Sequence, residues 1–315
     1  MSTEWPNQTE RLRTLADSRL MTPDRRKILV THIYPHLDEI CAFWLFKRFG
    51  GSDYKNAAYR FMPISEDRRK TFGGQPVDSD PGIIHVGIAG GRFDEHVRDG
   101  GKRISSASLV WDFLKTKKHY PKDRLVRRAI EMMVDYVAGE DNGETHVSPR
   151  SSFRLQSILY GAWLSAKGGS ASGGNKNNNI QEVTRFGMKM IDHIFARLIQ
   201  DAQFEIDWQK RIEFKTRWGK AVAVATETSD TDGLIYSKGY CLALTLDPKQ
   251  NHRMYRASPI SKVNLTKTYK HLSIIDSKPC WYLHQSKKLV ICGGALAPKV
   301  ALSKLTLKEM ISAIR

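Results

Sequence analysis

Imidazole and carboxylate side chains follow the first β-branched segment of the sequence. The segment 27–31 (KILVT) predicts a short strand, and His32, His36 and Asp38 come within the next seven residues. A loop can fold such side chains into one crevice, where they could hold a divalent ion. Helix capping is the alternative, because Asp38 and Glu39 in a first helical turn would favour the macrodipole.

A second group of possible ligands follows the strand predicted at 82–89 (GIIHVGIA), which carries His85. The next residues, 90–96, read GGRFDEH. Glycines let a backbone approach an ion or a phosphate closely, and the three polar residues offer oxygen and nitrogen ligands: Asp94, Glu95 and His96. A plain polar turn, with His85 as a buried structural histidine, is the alternative.

A third motif, Asp141-Asn142-Gly143, follows the helical pattern VRRAIEMMVDYVAGE. Taken alone, Asp-Asn-Gly is a turn signal. Asp141 becomes a candidate metal ligand only because of its position after the other two motifs.

The order of these motifs resembles that of the DHH phosphoesterase superfamily. Within it, the chain is most similar to the melanocyte-proliferating-gene (MYG) family of metal-dependent 3′→5′ exonucleases. The similarity rests on the histidine and "DE" of the first motif, on "RFDEH" where the family has an R-aromatic-D-H-H run, and on "DNG". The late segment WYLHQSKKLVICGG also resembles the family's aromatic-V-H segment followed by Gly-Gly.

The resemblance implies a catalytic domain that holds one or two divalent ions, with Mn²⁺ preferred and Mg²⁺ as the alternative. It implies that His32 and His36 hold one ion and that Asp38 and Asp141 hold a second. His96 would contact metal or the scissile phosphate, and His96 or Asp94 would position the phosphate or relay a proton.

Three positions depart from the superfamily pattern. The expected D-x-D of the first motif is His36-x-Asp38, as in the MYG branch. Glu95 stands where the family has histidine, although a carboxylate suits Mg²⁺ or Mn²⁺ at least as well. His85 stands where the superfamily places an aspartate that bridges two metals, and one imidazole nitrogen cannot bridge. Without a gap in the alignment, Gly87 would face that aspartate instead.

The pattern of strands and helices must position these residues. Strand candidates at 27–31, 57–64 and 82–89, with helical segments between and after them, predict a parallel sheet in an α/β domain. Helical periodicity from 121 to 209 is interrupted by GGSASGGNKNNN at 168–179. We therefore expect a polar arm (1–26), a parallel-sheet catalytic domain of DHH type (27–211) and a smaller, basic α/β domain (212–315).

The charge of the chain is concentrated in its last third. Lys and Arg exceed Asp and Glu by 17, and 11 of these charges lie within residues 234–315. A polyanion is the natural counterpart of such a surface. The expected phosphate-binding or nucleic-acid-binding residues follow the MYG-like segment: His284, Lys287, Lys288, Gly293, Gly294 and Lys299. Aromatic residues between the basic ones, such as Tyr255 and Trp281, could stack on bases or form a core.

These observations predict a metal-dependent phosphodiesterase, in particular a 3′→5′ exonuclease that acts on single-stranded RNA or DNA. One alternative is a phosphoesterase for short oligonucleotides, cyclic dinucleotides or pyrophosphate. Another is a non-catalytic nucleic-acid-binding protein with a degenerate metal site. The sequence has no apolar run that could span a bilayer, and its cysteines lack metal-site spacing, so we expect a soluble, cytoplasmic protein.

Overall fold

A computed structural model describes most of the chain, in two compact units. The first unit ends at Ala196 and the second begins at Arg197. The described residues are 27–63, 71–97, 103–144, 151–168, 176–294, 296–297 and 299–315. The predicted arm and residues 169–175 of the Gly/Ser/Asn segment lie outside these ranges.

The first unit is built around a parallel sheet. Its elements are β1 (Ile28–His32), α1 (Leu37–Phe49), α2 (Ser52–Lys55), β2 (Ala58–Met62), β3 (Thr71–Phe72), β4 (Gln75–Pro76), β5 (Ile83–His85), α3 (Ser106–Thr116), α4 (Arg124–Asp141), α5 (Leu155–Gly168) and the first part of α6 (Lys176–Trp208), which continues into the second unit. The strands β2, β1 and β5 form a parallel sheet with β1 in the centre. The predicted parallel sheet with helices is therefore confirmed.

Local sequence explains why the central elements form. Leu29 and Val30 of β1 are fully buried, and α1 is buried along most of its length, because apolar residues occupy nine of its thirteen positions. Ser105 caps α3 by accepting a hydrogen bond from the Ser108 N–H at 3.3 Å, as the serines before this helix predict. The ends of β1 and β5 therefore lie at one edge of the sheet, beside the start of α1.

The strand β5 is shorter than the sequence predicts. It ends at His85 rather than continuing to residue 89. Gly87 and Ala89 adopt φ of +61° and +65°, in the left-handed region and outside the extended conformation of a strand. The chain therefore turns away from the sheet before the 90–96 motif.

The second unit has a six-stranded sheet. Its elements after α6 are β6 (Ile212–Thr216), β7 (Gly219–Ala225), α7 (Asp232–Tyr236), β8 (Leu242–Leu246), β9 (Arg253–Ala257), α8 (Thr266–Ile275), β10 (Trp281–Leu283), β11 (Leu289–Cys292) and α9 (Leu307–Ser312). The strand order is β10-β11-β9-β8-β7-β6, with β7 and β8 parallel and the other neighbours antiparallel.

The second unit starts before the predicted boundary at residue 212. Phe204 and Trp208, in the last turns of α6, are buried against Val222 and Val224 of β7. The end of the long helix therefore belongs to the second core, although its sequence continues the helical pattern of the first unit. In the described part of the chain, no helix is both long and apolar enough to cross a membrane.

Candidate metal centre

The turn between β1 and α1 brings two histidines onto one carboxylate. His32 ends β1, and its Nε2 lies 3.2 Å from Oε1 of Glu39 in the first turn of α1. The backbone N–H of His36 donates to Oε2 of Glu39 at 2.7 Å. The two imidazole rings meet edge to face with 5.1 Å between centroids. Both oxygens of Glu39 are therefore directed at the β1–α1 turn.

Electrostatics tie His32 to Glu39. Burial alone would lower the pKa of His32, but the hydrogen bond and the charge of Glu39 raise it to about 9. Burial likewise opposes ionisation of Glu39, and the contact with His32 outweighs it and lowers the pKa of the carboxyl. The pair is therefore a buried imidazolium–carboxylate, and a metal cation could take the place of the proton on His32.

Asp38 connects α1 to α3. Its Oδ2 accepts the Ser106 N–H at 2.7 Å, and its Oδ1 accepts the Ala107 N–H at 2.9 Å. These are two of the free N–H groups at the start of α3. Burial, together with the charges of Glu39 and Glu95, raises the pKa of Asp38 well above its ordinary value. Asp38 is therefore a buried tether between helices as well as a possible ligand.

The 90–96 motif folds into a turn that presents three ligands. Asp94 accepts hydrogen bonds from the N–H of Gly90 at 2.8 Å and of His96 at 3.0 Å. Nδ1 of His96 lies 3.0 Å from Oδ1 of Asp94 and 3.1 Å from Oε1 of Glu95. Glu95 accepts the Ser106 hydroxyl at Oε2 (2.6 Å), whereas its buried Oε1 has no hydrogen bond of good geometry.

Burial and neighbouring charge also shift the pKa values in this turn. Burial raises the pKa of Glu95, and the charge of Glu39 adds to the effect. Burial opposes protonation of His96, but Glu95 and Asp94 outweigh it and raise the pKa of the imidazole. The carboxylates of the turn therefore favour a positive charge beside them.

The two segments form one cluster. Three overlapping groups each have ligand atoms within 4.8 Å of one another: His32, His36 and Glu39; Asp38, Glu39 and Glu95; and Asp94, Glu95 and His96. Glu39 and Glu95 link the groups. The structure thus brings together six residues that the sequence motifs select: His32, His36, Asp38, Asp94, Glu95 and His96. We call these six residues and Glu39 the metal centre.

Sequence reasoning did not assign Glu39 as a ligand. It occupies the third position of α1, where a glutamate commonly reaches back to the N–H before the helix, and it does so here. The capping interpretation is therefore correct for the backbone. Glu39 directly follows the candidate ligand Asp38 in the sequence, and this position indicates that Glu39 also belongs to the site.

Asp141 lies at the edge of the metal centre. It ends α4 and lines a cavity of ≈ 190 Å³ together with His36 and Asp38. Burial, and then the charges of Glu95 and Glu39, raise its pKa to about 6. The charges of the central carboxylates therefore affect the pKa of Asp141, although Asp141 is not a member of the three close groups.

The rest of the Asp-Asn-Gly motif terminates α4. Asn142 donates to the carbonyls of Ala138 at 2.7 Å and Ile104 at 2.9 Å, and Gly143 has φ of +69°. The turn interpretation thus holds for Asn142 and Gly143.

Gly87 makes room for the metal centre. A Cβ at this position would lie 2.7 Å from Oε1 of Glu39 and 3.0 Å from the Ser106 hydroxyl. Any side chain would have to displace the carboxylate. Gly87 rather than His85 therefore faces the carboxylate of Glu39.

His85 is separate from the metal centre. It is 2% exposed, and its Nδ1 lies 3.2 Å from Oδ1 of Asp78, outside the three ligand groups. Its ring also meets that of Phe72 edge to face, and burial lowers its pKa. The alternation of β5 and the turn at Gly87 direct His85 toward a different carboxylate, as expected of the structural alternative.

The candidate phosphate-binding residues of the second unit form two groups. His284, Lys287 and Lys288 lie in the tight turn between β10 and β11, where the Lys287 N–H donates to the His284 carbonyl at 2.8 Å. The remaining three follow the other end of β11: Gly293, Gly294 and Lys299. Four strand residues, ~13 Å in length, separate the groups.

Local packing restricts what these residues can do. Lys287 and Lys299 are exposed, whereas the Lys288 ammonium donates to the carbonyl of Ser261. Gly293 has no room for a side chain, because a Cβ would lie 2.4 Å from the His252 ring.

Aromatic side chains of the second unit mostly belong to its core. Tyr255 is fully buried, and Trp281 and Tyr240 are 7% and 8% exposed. Arg253 is also buried and donates to the carbonyls of Leu305 and Asn251. The core interpretation is correct for these residues, so base stacking on them is excluded.

The fold and the cluster define an α/β protein with a buried acidic–histidine centre at the edge of a parallel sheet. In comparisons with known proteins, the sequence matches no family model and no curated protein.

Proposed function

We propose that this protein is a metal-dependent phosphodiesterase that acts at the metal centre. The observation that carries the proposal is the convergence of two sequence-distant motifs, 32–39 and 94–96, on Glu39 and Glu95. Buried carboxylates repel one another unless a cation or protons neutralise them. A site with this much negative charge suits a divalent ion.

The residues fit such an ion. Oε1 of Glu95 is buried and has no hydrogen-bond partner of good geometry, and it lies beside the Glu39 carboxylate within the linked groups. Gly87 has no Cβ, so its backbone can approach the Glu39 carboxylate, which any other side chain at this position would displace. Carboxylate oxygens with imidazole nitrogens are a donor set that Mn²⁺ accepts, and Mg²⁺ accepts the oxygens. His32, His36, Glu39 and Glu95 would hold the first ion, and Asp38 with Asp141 could support a second.

When bound, a divalent cation lowers the pKa of water and offsets charge on a phosphate. His96 complements that chemistry, since its side chain is 73% exposed and its Nδ1 is held by two carboxylates. Asp94 and Glu95 favour the protonated ring, so His96 can orient an anionic phosphate or give a proton to the leaving oxygen. Asp94 acts as a positioning residue, because its other oxygen binds the Gly90 N–H.

The substrate we propose is single-stranded nucleic acid, RNA or DNA. The excess of 17 positive charges supports a polyanionic substrate, and exposed Lys287 and Lys299 of the second unit could contact its phosphates. The 3′→5′ direction rests on the resemblance to the MYG family.

The test is cleavage of end-labelled RNA and DNA by the purified full chain with Mn²⁺, Mg²⁺ or EDTA. We expect cleavage with Mn²⁺ and none with EDTA, with products shortened progressively from the 3′ end. Glu95→Gln should abolish cleavage and lower the Mn²⁺ content measured by elemental analysis. Glu131→Gln, an exposed carboxylate of α4, is the matched control.

Two results would contradict the proposal. The absence of bound Mn²⁺ after dialysis against the metal would contradict the proposal that these residues bind a metal ion. Bound metal and bound nucleic acid without cleavage of any probe, including cyclic dinucleotides and pyrophosphate, would favour the non-catalytic binding protein instead.

A further inference from the structure

A groove on the first unit, with a volume of ≈ 660 Å³, is lined mainly by cations. The C-terminal end of α1, the helix α2 and residues 185–192 of α6 form its walls. Five basic side chains line it, against the single carboxylate of Asp192: Lys47, Arg48, Lys55, Arg185 and Lys189. We call this feature the basic groove.

The one carboxylate is already engaged at one side of the basic groove. Oδ1 of Asp192 accepts hydrogen bonds from Nε1 of Trp44 at 2.8 Å and from the Arg48 guanidinium at 3.0 Å. The Arg48 guanidinium also packs over the Trp44 ring, 5.4 Å from its centroid. Asp192 therefore neutralises Arg48 and leaves the other four cations unbalanced.

Those four cations lack acidic partners. Within the ranges that the structure describes, no carboxylate forms an ion pair with Lys55, Arg185 or Lys189, and Arg185 donates only to the amide oxygen of Gln181, at 3.1 Å. These three side chains are exposed. Grouping like charges without counter-charges costs free energy unless an anion offsets it.

Lys47 shows the effect of this crowding. Its ammonium lies 4.7 Å from the Tyr59 ring centroid and donates to the Ala57 carbonyl at 3.3 Å. Burial, and then the positive charge of Arg185, lower the pKa of Lys47. A bound anion would relieve the repulsion between Lys47 and Arg185.

The basic groove is distinct from the metal centre. Asp38 and Arg48 are ten residues apart on α1, which corresponds to ~15 Å along a helix. The one aromatic residue of the lining, Trp44, is 4% exposed and offers no face for stacking. Recognition here would therefore use the charge of a ligand rather than an aromatic base.

We infer that the basic groove is a second binding site, for a ligand that carries several linked phosphate groups. A single phosphate would occupy a small part of ≈ 660 Å³, a volume within the ~300–1,000 Å³ of ligand sites. Several phosphates could each meet one of the unpaired cations. The ligand is either a free polyphosphate or the backbone of a nucleic acid, and the inference does not depend on hydrolysis at the metal centre.

The experiment compares two probes and two triple variants in EDTA, which prevents metal-dependent cleavage. The probes are inorganic tripolyphosphate and a single-stranded oligothymidylate. The groove variant is Lys55→Gln, Arg185→Gln and Lys189→Gln, and the control variant removes the same charge from other elements: Lys122→Gln, Lys210→Gln and Lys308→Gln. All six side chains are exposed, and melting temperatures of both variants verify folding.

We expect the groove variant to bind at least one probe ~10-fold more weakly, while the control variant changes little. The slope of log K against log[salt] for the oligonucleotide should become shallower by up to ~2, since each lost phosphate contact contributes ~0.7. If the groove variant binds both probes more weakly, linked phosphates are sufficient for recognition. If it binds only the oligonucleotide more weakly, the ligand is the nucleic-acid backbone.

Equal affinity of the groove and control variants for both probes would overturn the inference. Mn²⁺ content should be the same in both variants, because neither touches the metal centre. A failed metal centre and a failed basic groove are therefore distinguishable in the same set of proteins.

Discussion

His32 and His85 end neighbouring parallel strands, and each lies 3.2 Å from a carboxylate oxygen. Their electrostatics are nevertheless opposite, because the pKa of His32 is raised to about 9 and that of His85 is lowered. The partner of His32 is Glu39, 3% exposed and adjacent to other carboxylates, whereas the partner of His85 is Asp78, 37% exposed. The surroundings of the carboxylate, rather than the histidine–carboxylate distance, separate a cluster that could hold a metal from a structural pair.

The largest effect that this comparison predicts is on activity. Glu39→Gln removes the carboxylate that joins both histidines to Glu95, so Mn²⁺-dependent cleavage should fall by more than ~100-fold. Glu131→Gln is again the matched control. Metal content and cleavage of labelled RNA are the measurements, and unchanged values for Glu39→Gln would remove this residue from the centre.

The next largest effect concerns His85. A carboxylate at this buried position would face Asp78, so His85→Asp should lower the free energy of unfolding by ~3 kcal/mol or more. His85→Gln keeps a hydrogen-bonding group there and serves as the control. Denaturant titration and Mn²⁺ titration test this together. A variant His85→Asp that binds Mn²⁺ more tightly would return this position to the bridging role.

Asp38 and Asp141 sharpen the contrast between a buried and a peripheral carboxylate. Asp38→Asn places an NH₂ group against one N–H of α3, which should cost ~2 kcal/mol of stability as well as activity. Asp141→Asn should reduce activity while the melting temperature stays close to wild type, because Asp141 lies at the exposed end of α4. Equal melting temperatures for the two variants would contradict the tether role of Asp38.

The smallest predicted effect is the pH dependence of stability. The folded protein holds His85 with a pKa below the ordinary 6.5, so the unfolded chain binds this proton more readily. The free energy of unfolding is therefore unaffected by His85 well above pH ~6.5, and it decreases as the pH falls below this value. Melting curves of wild type and His85→Gln between pH ~8 and ~5 should diverge at the acidic end, with the wild type losing more stability. Parallel curves would show that His85 titrates as in the unfolded chain.

Much of this protein could be predicted from local pattern. The parallel arrangement of β1, β2 and β5 follows from strands that alternate with helices, and the serine cap of α3 follows from its sequence. Patterns within the second unit were less informative. The segment 281–294 is strand-like in its sequence, yet it folds as two strands, β10 and β11, around a tight turn in which Lys287 adopts a positive φ.

The types of ligand and their order along the chain are properties of the sequence alone. His32, His36 and Asp38 lie at the end of β1, in the next loop and in the first turn of α1, so their proximity needs no long-range contact. The meeting of Glu39 with Glu95 is a tertiary matter, since Ser106 at the start of α3 binds both Glu95 and Asp38, the neighbour of Glu39. His85 instead meets Asp78, seven residues earlier in the sequence, and only the folded structure shows that this pair lies outside the three ligand groups.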